Sequence, residues 1–399
     1  MDTAAVHAPE IAVAPEAPVT VARSERLPAI DRLRGLVIAL MALDHVRDYF
    51  TNAHYAPTDL AHTTPGLFFT RWITHYCAPI FIFLAGTSAR LYGRRTTRAG
   101  LQRFLLSRGL WLVALEFSVV SFVWTFNFRY PMGLVMQVIW AIGMSMCVLS
   151  AVVALPLGAI AAFALIGIAG HNLLDGVKPE AWGAAAWLWR ILHVQSPIAV
   201  GSVIYPLIPW VSVIAAGYVF GGVYELAPAR RRKLTLLLGA SLTAAFIALR
   251  ALNMYGDPSP WSSQTRPLFT LLSFLNVTKY PPSLAYLLMT LGPGLLVLAA
   301  LERGQNRALD LLHTFGRVPL FAYVVHLALA HLLAGLSALA LGFGTSVLTN
   351  MFIGFPERWG FGLVGVYAAW LAVLVMLYPL CRWFANVKRR RNDWWLSYL

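Results

Sequence analysis

Charge is what this chain has least of. Only 12% of its 399 residues are charged, 59% are hydrophobic, and the mean hydropathy is +0.66. A soluble domain carries about twice that charge, so a soluble globular fold is excluded. Cysteine is almost as scarce. Cys77, Cys147 and Cys381 sit in or beside separate apolar runs with no paired spacing, which excludes a disulfide framework or a zinc site. Acidic residues are also few, 17 against 31 Lys and Arg, for a net charge of +14. No basic segment interleaved with stacking aromatics lies outside the apolar runs, so nucleic acid is excluded as a partner. The basic surplus points to anionic lipid headgroups. Nor does one half of the chain repeat the other, as secondary transporters commonly do.

What is present is a series of apolar runs of about 20 residues, the length that crosses a bilayer as helix. They fall at 33–50, 67–91, 104–126, 132–155, 157–174, 204–224, 234–252, 283–301, 318–341 and 360–384. The split at Pro156 separates two of them, and an eleventh span is open in Trp182–Val194. The fold class predicted is all-α, a polytopic integral membrane bundle of ten or eleven transmembrane helices. With the N-terminus inside, the inner loops carry Arg94, Arg95, Arg98 and Arg103, then Arg230–Lys233, Arg303 and Arg307, and finally Lys388–Arg391. The outer loops carry few basic residues, Lys279 among them. That asymmetry is the positive-inside pattern and predicts both termini cytoplasmic. Residues 1–27, rich in Ala, Pro and Val, read as a disordered cytoplasmic leader without the apolar core of a signal peptide. A membrane domain over 28–385 and a basic, aromatic cytoplasmic tail over 386–399 follow.

The functional signal lies in charges and histidines that apolar helices should not tolerate. Ionisable groups at membrane depth are costly and mark function by default. In IDRLRGLVIALMALDHVRDYF, His45 follows Arg34 by eleven residues, about three helical turns, which puts them on one face about 16 Å apart. Asp31 shares that face. His45 is the candidate general base, since imidazole takes a proton near neutral pH. Asp44 diverges from it but can pair with Arg47, or with Asp48 through a shared cation. His54, Asp59 and His62 lie in the following loop, and Arg71 and His75 open the second span. The spacing of the three histidines matches no compact ligand pattern, so no metal is expected; His54, Arg71 and His75 are instead candidates for holding an acceptor.

Further on, Glu116 half-way along the third span needs a partner, such as an arginine from elsewhere, or a proton. Gln137 and Asn127 are milder polar insertions of the kind that bind neighbouring helices. Tyr323 and His326 share a helix face, whereas His331 lies about 140° round and cannot join them. Gly292-Pro293-Gly294 predicts a broken helix lining a cavity. Arg90, Arg94, Arg95, Arg98, Arg103 and Arg108, with no lysine among them, suit bidentate phosphate binding. Lipid headgroups and the nucleotide end of coenzyme A both fit.

Asp31-x-x-Arg34-Gly35 with His45, then FLAGTS over 83–88, QVIWAIG, TKYPPSLAYLLMTLGP, FGRVPLFAYVVH and DWWLSYL together resemble one family. It is the bacterial branch of the heparan-alpha-glucosaminide N-acetyltransferase catalytic-domain family, within the transmembrane acyltransferases that include acyltransferase-3. The resemblance covers nearly all of residues 28–399. It implies transfer of an acyl group, expected to be acetyl, from cytoplasmic acyl-CoA to a hydroxyl or amine of a glycan, a lipid-linked or a small acceptor at the outer side. It also implies a bacterial cytoplasmic membrane. The acyltransferase-3 pattern puts the catalytic histidine at His45, whereas the heparan enzyme has an asparagine there and its histidine near the register of His54. The catalytic candidates are therefore His45, His54 and Asp44. Donor binding falls to Arg34, Arg94, Arg95, Arg98, Arg103 and Arg108, and acceptor or oxyanion contacts to His75, Arg71, Tyr323 and His326. A transporter or exporter of a small anion is the alternative. Nothing in the sequence speaks to oligomeric state.

Overall fold

The structure is a computed structural model that describes residues 27–129, 132–304, 306–350, 356, 358–391 and 393–398; the leader over 1–26 lies outside the described residues. Helix makes up 73% of it. Each of the ten predicted runs contains a helix: α1 Pro28–Phe50, α2 Pro65–Gly93, α3 Arg98–Thr125, α4 Val138–Val152, α5 Leu157–Leu174, α6 Leu207–Glu225, α7 Pro228–Leu252, α8 Leu284–Leu301, α9 Pro319–Ala340 and α10 Leu363–Arg390. Among the described residues eight of these, α2, α3 and α5 to α10, are long and apolar enough to cross a membrane. The chain is a polytopic helical membrane protein. Helix α4 is apolar but has only 15 residues. Helix α1 is long enough but carries Asp31, Arg32, Arg34, Asp44, Arg47 and Asp48 within 23 residues. The open eleventh span is a short helix, Ala186–His193, which reaches only about 12 Å. Helix α10 continues into the predicted tail as far as Arg390.

Helix α1 tolerates its charges because it faces protein on almost every side. It packs against α2, α8, α9, α10 and the short helix Arg307–Gly316. Two glycines make the last contact possible. A Cβ on Gly35 would run into the Leu312 carbonyl, and one on Gly316 into the Asp31 carbonyl, so the two backbones touch as small residues permit in membrane helices. This explains the glycine after Arg34 without invoking chemistry.

The Gly292-Pro293-Gly294 expectation is corrected. Helix α8 runs unbroken through Pro293, and none of the three residues lines the central cavity. The glycines serve helix packing: a Cβ on Gly292 would meet Thr243, and one on Gly239 would meet the Gly292 carbonyl at 2.9 Å. Neighbouring helices re-satisfy the proline's freed carbonyl in such settings.

A small sheet accompanies the helices. Strands β1 Leu134–Met136, β2 Ser196–Ile198 and β3 Gly201–Val203 pair in the order β1-β3-β2, parallel then antiparallel. The Met136 carbonyl accepts from Ile204 and Tyr205, both at 3.1 Å. The sheet thereby fixes Gln137 and Tyr205 beside the C-terminal end of α1.

Candidate functional site

One cavity of about 610 Å³ runs along α1, a size usual for ligand sites. Asp31, Arg34, Met41, Asp44, His45 and Asp48 line it, the face that a period of 3.6 brings together. Seventeen residues of helix separate Asp31 from Asp48, about 25 Å, so the cavity extends through most of a bilayer's hydrocarbon thickness.

Its three zones differ in chemistry. At the Arg34 end it is lined by Arg34, Arg95, Arg108, Arg317 and Lys388. Arg34 is oriented by Asp31 at 3.1 Å and by Ser88. The middle is apolar, with Met41, Phe81, Ala85, Leu112, Ile142 and Leu320. The far end holds Asp44, His45, Asp48, Arg71, Lys279, Tyr280 and Tyr205.

His45 is 8% exposed and meets His326, 281 residues away in sequence, through Nδ1 and Nε2 at 2.8 Å. The ring pair has a definite polarity. His326 Nδ1 lies 2.8 Å from the Ala322 carbonyl, which has no proton to give, so Nδ1 donates. In a neutral imidazole the other nitrogen is then an acceptor. His326 Nε2 must therefore accept the Nδ1 proton of His45, which leaves His45 Nε2 with the basic lone pair. That nitrogen has no hydrogen bond among the described residues. Trp124 packs edge-on to His45 with ring centres 5.0 Å apart, and Tyr323 does so at 6.0 Å. Tyr323 lines the cavity, while His326 stands behind His45.

Asp44 is committed elsewhere. Its carboxylate accepts from Arg71 at 2.6 and 2.7 Å and from Thr74 at 2.7 Å, and it pairs with Arg47 at 2.7 Å. Arg47 also reaches Asp48 at 2.5 Å. This network anchors α1 to α2 and engages the Asp44 carboxylate with Arg71, Thr74 and Arg47.

The other predicted residues are sorted by the fold. His54 is exposed and does not line the cavity. His62 bonds Asp59 at 2.7 Å, and this bond holds the Asp59 carboxyl below its usual range. His75 is buried against Tyr286, ring centres 5.5 Å apart, and does not line the cavity. The arginine cluster divides in the same way. Arg95 and Arg108 line the cavity, Arg94 and Arg103 are exposed away from it, and Arg98 bonds the Ala154 carbonyl at 3.2 Å. Arg90 pairs with Glu225 at 3.2 Å. A helix surface spreads residues spaced like these over all its sides, so only part of the run faces inward.

Glu116 finds its partner in backbone and not in an arginine. It sits where α3 takes a π-helical turn, Glu116–Val120, and its carboxylate accepts from the Trp140 amide at 2.9 Å. It thus caps the N-terminus of α4, where unpaired amides and the helix dipole favour a carboxylate. Gln137, expected to bind a neighbouring helix, lines the cavity; Asn127 accepts from the Arg129 amide in its own turn. His331 faces away from His45, bonds the Val123 carbonyl at 3.0 Å and stacks on Phe126.

Sequence reasoning missed Lys279, Tyr280, Tyr205 and Arg317 as lining residues, and it counted Lys388 with the cytoplasmic tail. The segment TKYPPSLAYLL stood out, but nothing in it says that a loop lysine turns inward.

Residues 26–259, more than half of the chain, match the family described as "Heparan-alpha-glucosaminide N-acetyltransferase, catalytic". The chain belongs to that family. No curated protein matches it. The matched segment contains Arg34, His45, Arg71, Arg95, Arg108 and Tyr205, whereas His326, Lys279 and Lys388 come from the part of the chain beyond it. Membership of this family makes the chain a membrane transferase.

Proposed function

We propose that the chain moves an acyl group, with acetyl the expected one, from cytoplasmic acyl-CoA to a hydroxyl or amine of a glycan or related acceptor on the outer side of a bacterial cytoplasmic membrane. The observation that carries this is the cavity. A single space joins a cationic end to a buried histidine through an apolar middle, which matches the order of phosphates, slender arm and thioester along acyl-CoA. Arg34, Arg95, Arg108, Arg317 and Lys388 hold the nucleotide phosphates at the cytoplasmic end through charge-assisted bonds. The acceptor enters from the far end. Its O–H or N–H gives its proton to His45 Nε2 as it attacks the thioester carbonyl carbon. The C–S bond then breaks, and the coenzyme thiolate leaves with the proton that His45 returns. Tyr323, edge-on to His45, supports the developing oxyanion. The anion-transporter alternative loses one of its supports, because α8 is unbroken.

The test is transfer of labelled acetyl from acetyl-CoA to glycan acceptors by the purified protein in proteoliposomes. Countercurrent uptake of an anion, with no acetyl transfer, would favour the transporter.

Two further outcomes are expected. Cysteine labelling from outside should reach positions in 51–66, while 92–102 and 386–399 should react only after permeabilisation; the reverse would turn the donor entrance to the wrong face. Arg95→Ala and Arg108→Ala should each weaken acetyl-CoA binding by about 1.5–3 kcal/mol per lost charge-assisted bond, whereas Arg94→Ala and Arg103→Ala should leave it within about twofold. Equal effects from all four, measured by calorimetry, would reduce the cluster to a topology signal.

A further inference from the structure

With Arg47, which pairs with both carboxylates from outside the lining, the far end of the cavity has three cations to two carboxylates. Asp44 is shared by Arg71 and Arg47, and Asp48 pairs with Arg47. The third cation, Lys279, is 9% exposed and lines the cavity, and among the described residues its side chain has no ion pair or hydrogen bond; its Nζ lies 5.1 Å from the centre of the Tyr280 ring, and Asp44 acts on it only from beyond ion-pair distance. A buried ammonium without a counter-charge is costly. Such a residue in a ligand cavity awaits an anion. Tyr205 and Tyr280, whose rings meet edge-on at 5.3 Å and whose phenols bond each other, line the same wall and keep one phenol proton to donate to an oxyanion.

We infer that Lys279 is the receptor for an anionic group on the acceptor, a carboxylate or a phosphate borne by the sugar that His45 acylates. The inference rests on the transferase reading above, which makes this chamber the acceptor's. A thioester carbonyl does not meet the need: it is neutral in the bound state and becomes anionic only as the bond to the acceptor forms. The phosphates of the donor do not meet it either, because they belong at the opposite end, among Arg34, Arg95 and Arg108. An acceptor with a fixed negative charge neutralises Lys279 throughout the reaction. It also brings its hydroxyl or amine to the same end of the cavity as His45. Neutral acceptors leave the ammonium uncompensated and are selected against.

The full-length protein in proteoliposomes tests this with glucose, glucuronic acid and glucose 6-phosphate, which differ at the sugar's sixth carbon. Acetyl transfer should show kcat/KM at least about tenfold higher for an acidic sugar than for glucose, the size of one charged bond. The better of the two acids tells carboxylate from phosphate. Lys279→Met should remove that preference by lowering transfer to the acidic sugars at least about tenfold more than transfer to glucose, while Lys279→Arg retains most of it. If Lys279→Met fails to fold, Lys279→Gln takes its place, with unchanged acetyl-CoA binding as the check. Equal rates for the three sugars would overturn the inference, and so would an equal loss for all three in Lys279→Met, which would make the lysine an oxyanion donor. Thermal protection of the detergent-purified protein by glucuronate or glucose 6-phosphate, measured without acetyl-CoA, separates this from the transferase reading. Protection that depends on Lys279 without any transfer sustains the anion site and sinks the transferase. Transfer without protection or acidic preference sustains the transferase and sinks the anion site.

Discussion

Replacing His45 by alanine is expected to lower acetyl transfer by about 10²- to 10⁴-fold, the range for loss of a positioned acid–base group, with acetyl-CoA affinity nearly unchanged. The expectation rests on geometry. His45 lines the cavity, and its Nε2 is left basic by the proton order running from Ala322 through His326. His326 should behave as a positioning residue. His326→Leu removes the acceptor for the His45 Nδ1 proton and should lower kcat without moving the KM for acetyl-CoA. His326→Asn offers a side-chain carbonyl to the same proton and should recover part of the rate. His54→Ala should cost far less, because His54 is exposed outside the cavity. Were His54→Ala inactive and His45→Ala to keep more than about a tenth of the rate, the base would be His54, as in the heparan enzyme.

The second large effect is on stability. Asp44 is the carboxylate on which Arg71, Arg47 and Thr74 converge, at 12% side-chain exposure. Removing one partner of a buried ion pair costs about 3–5 kcal/mol, because the remaining charge stays buried and unmatched. Asp44→Ala should therefore lower the thermal midpoint sharply in detergent, as read by loss of the monodisperse chromatographic peak. Arg71→Met, which removes a charge and leaves Asp44 with Arg47, should cost less. Wild-type stability in Asp44→Ala would contradict the anchoring role and return Asp44 to the list of catalytic candidates. The two predictions are separable, since His45→Ala leaves the ion pairs of Asp44 with Arg47 and Arg71 in place.

The ten helices, their apolar character and the shared face of Arg34 and His45 were all legible in the sequence, because each depends on local properties. Hydropathy over about 20 residues decides what crosses a bilayer, and a period of 3.6 decides which side chains of one helix share a face. The sequence also said that Asp44, His45 and Glu116 need partners, because an unmatched charge in an apolar helix is costly wherever it sits. It did not say which partners. The His45–His326 contact joins residues 281 apart, and Glu116 caps a helix through its backbone amides, an acceptor–donor match that no side-chain pattern announces. Gly292-Pro293-Gly294 carries the signature of a break, yet the fold uses its small residues for close packing and keeps the helix whole. The arginines around the turn between α2 and α3 look alike in sequence, and only the path of the turn and the rotation of α3 set Arg95 and Arg108 at the cavity while Arg94 and Arg103 do not line it. Lys279 is the plainest case. By position it is a loop lysine that adds to a topology count; the loop's path into the bundle makes it a buried cation with no ion pair of its own among the described residues. Local periodicity sets the faces of single helices, but which face meets which neighbour is settled by packing across the whole chain.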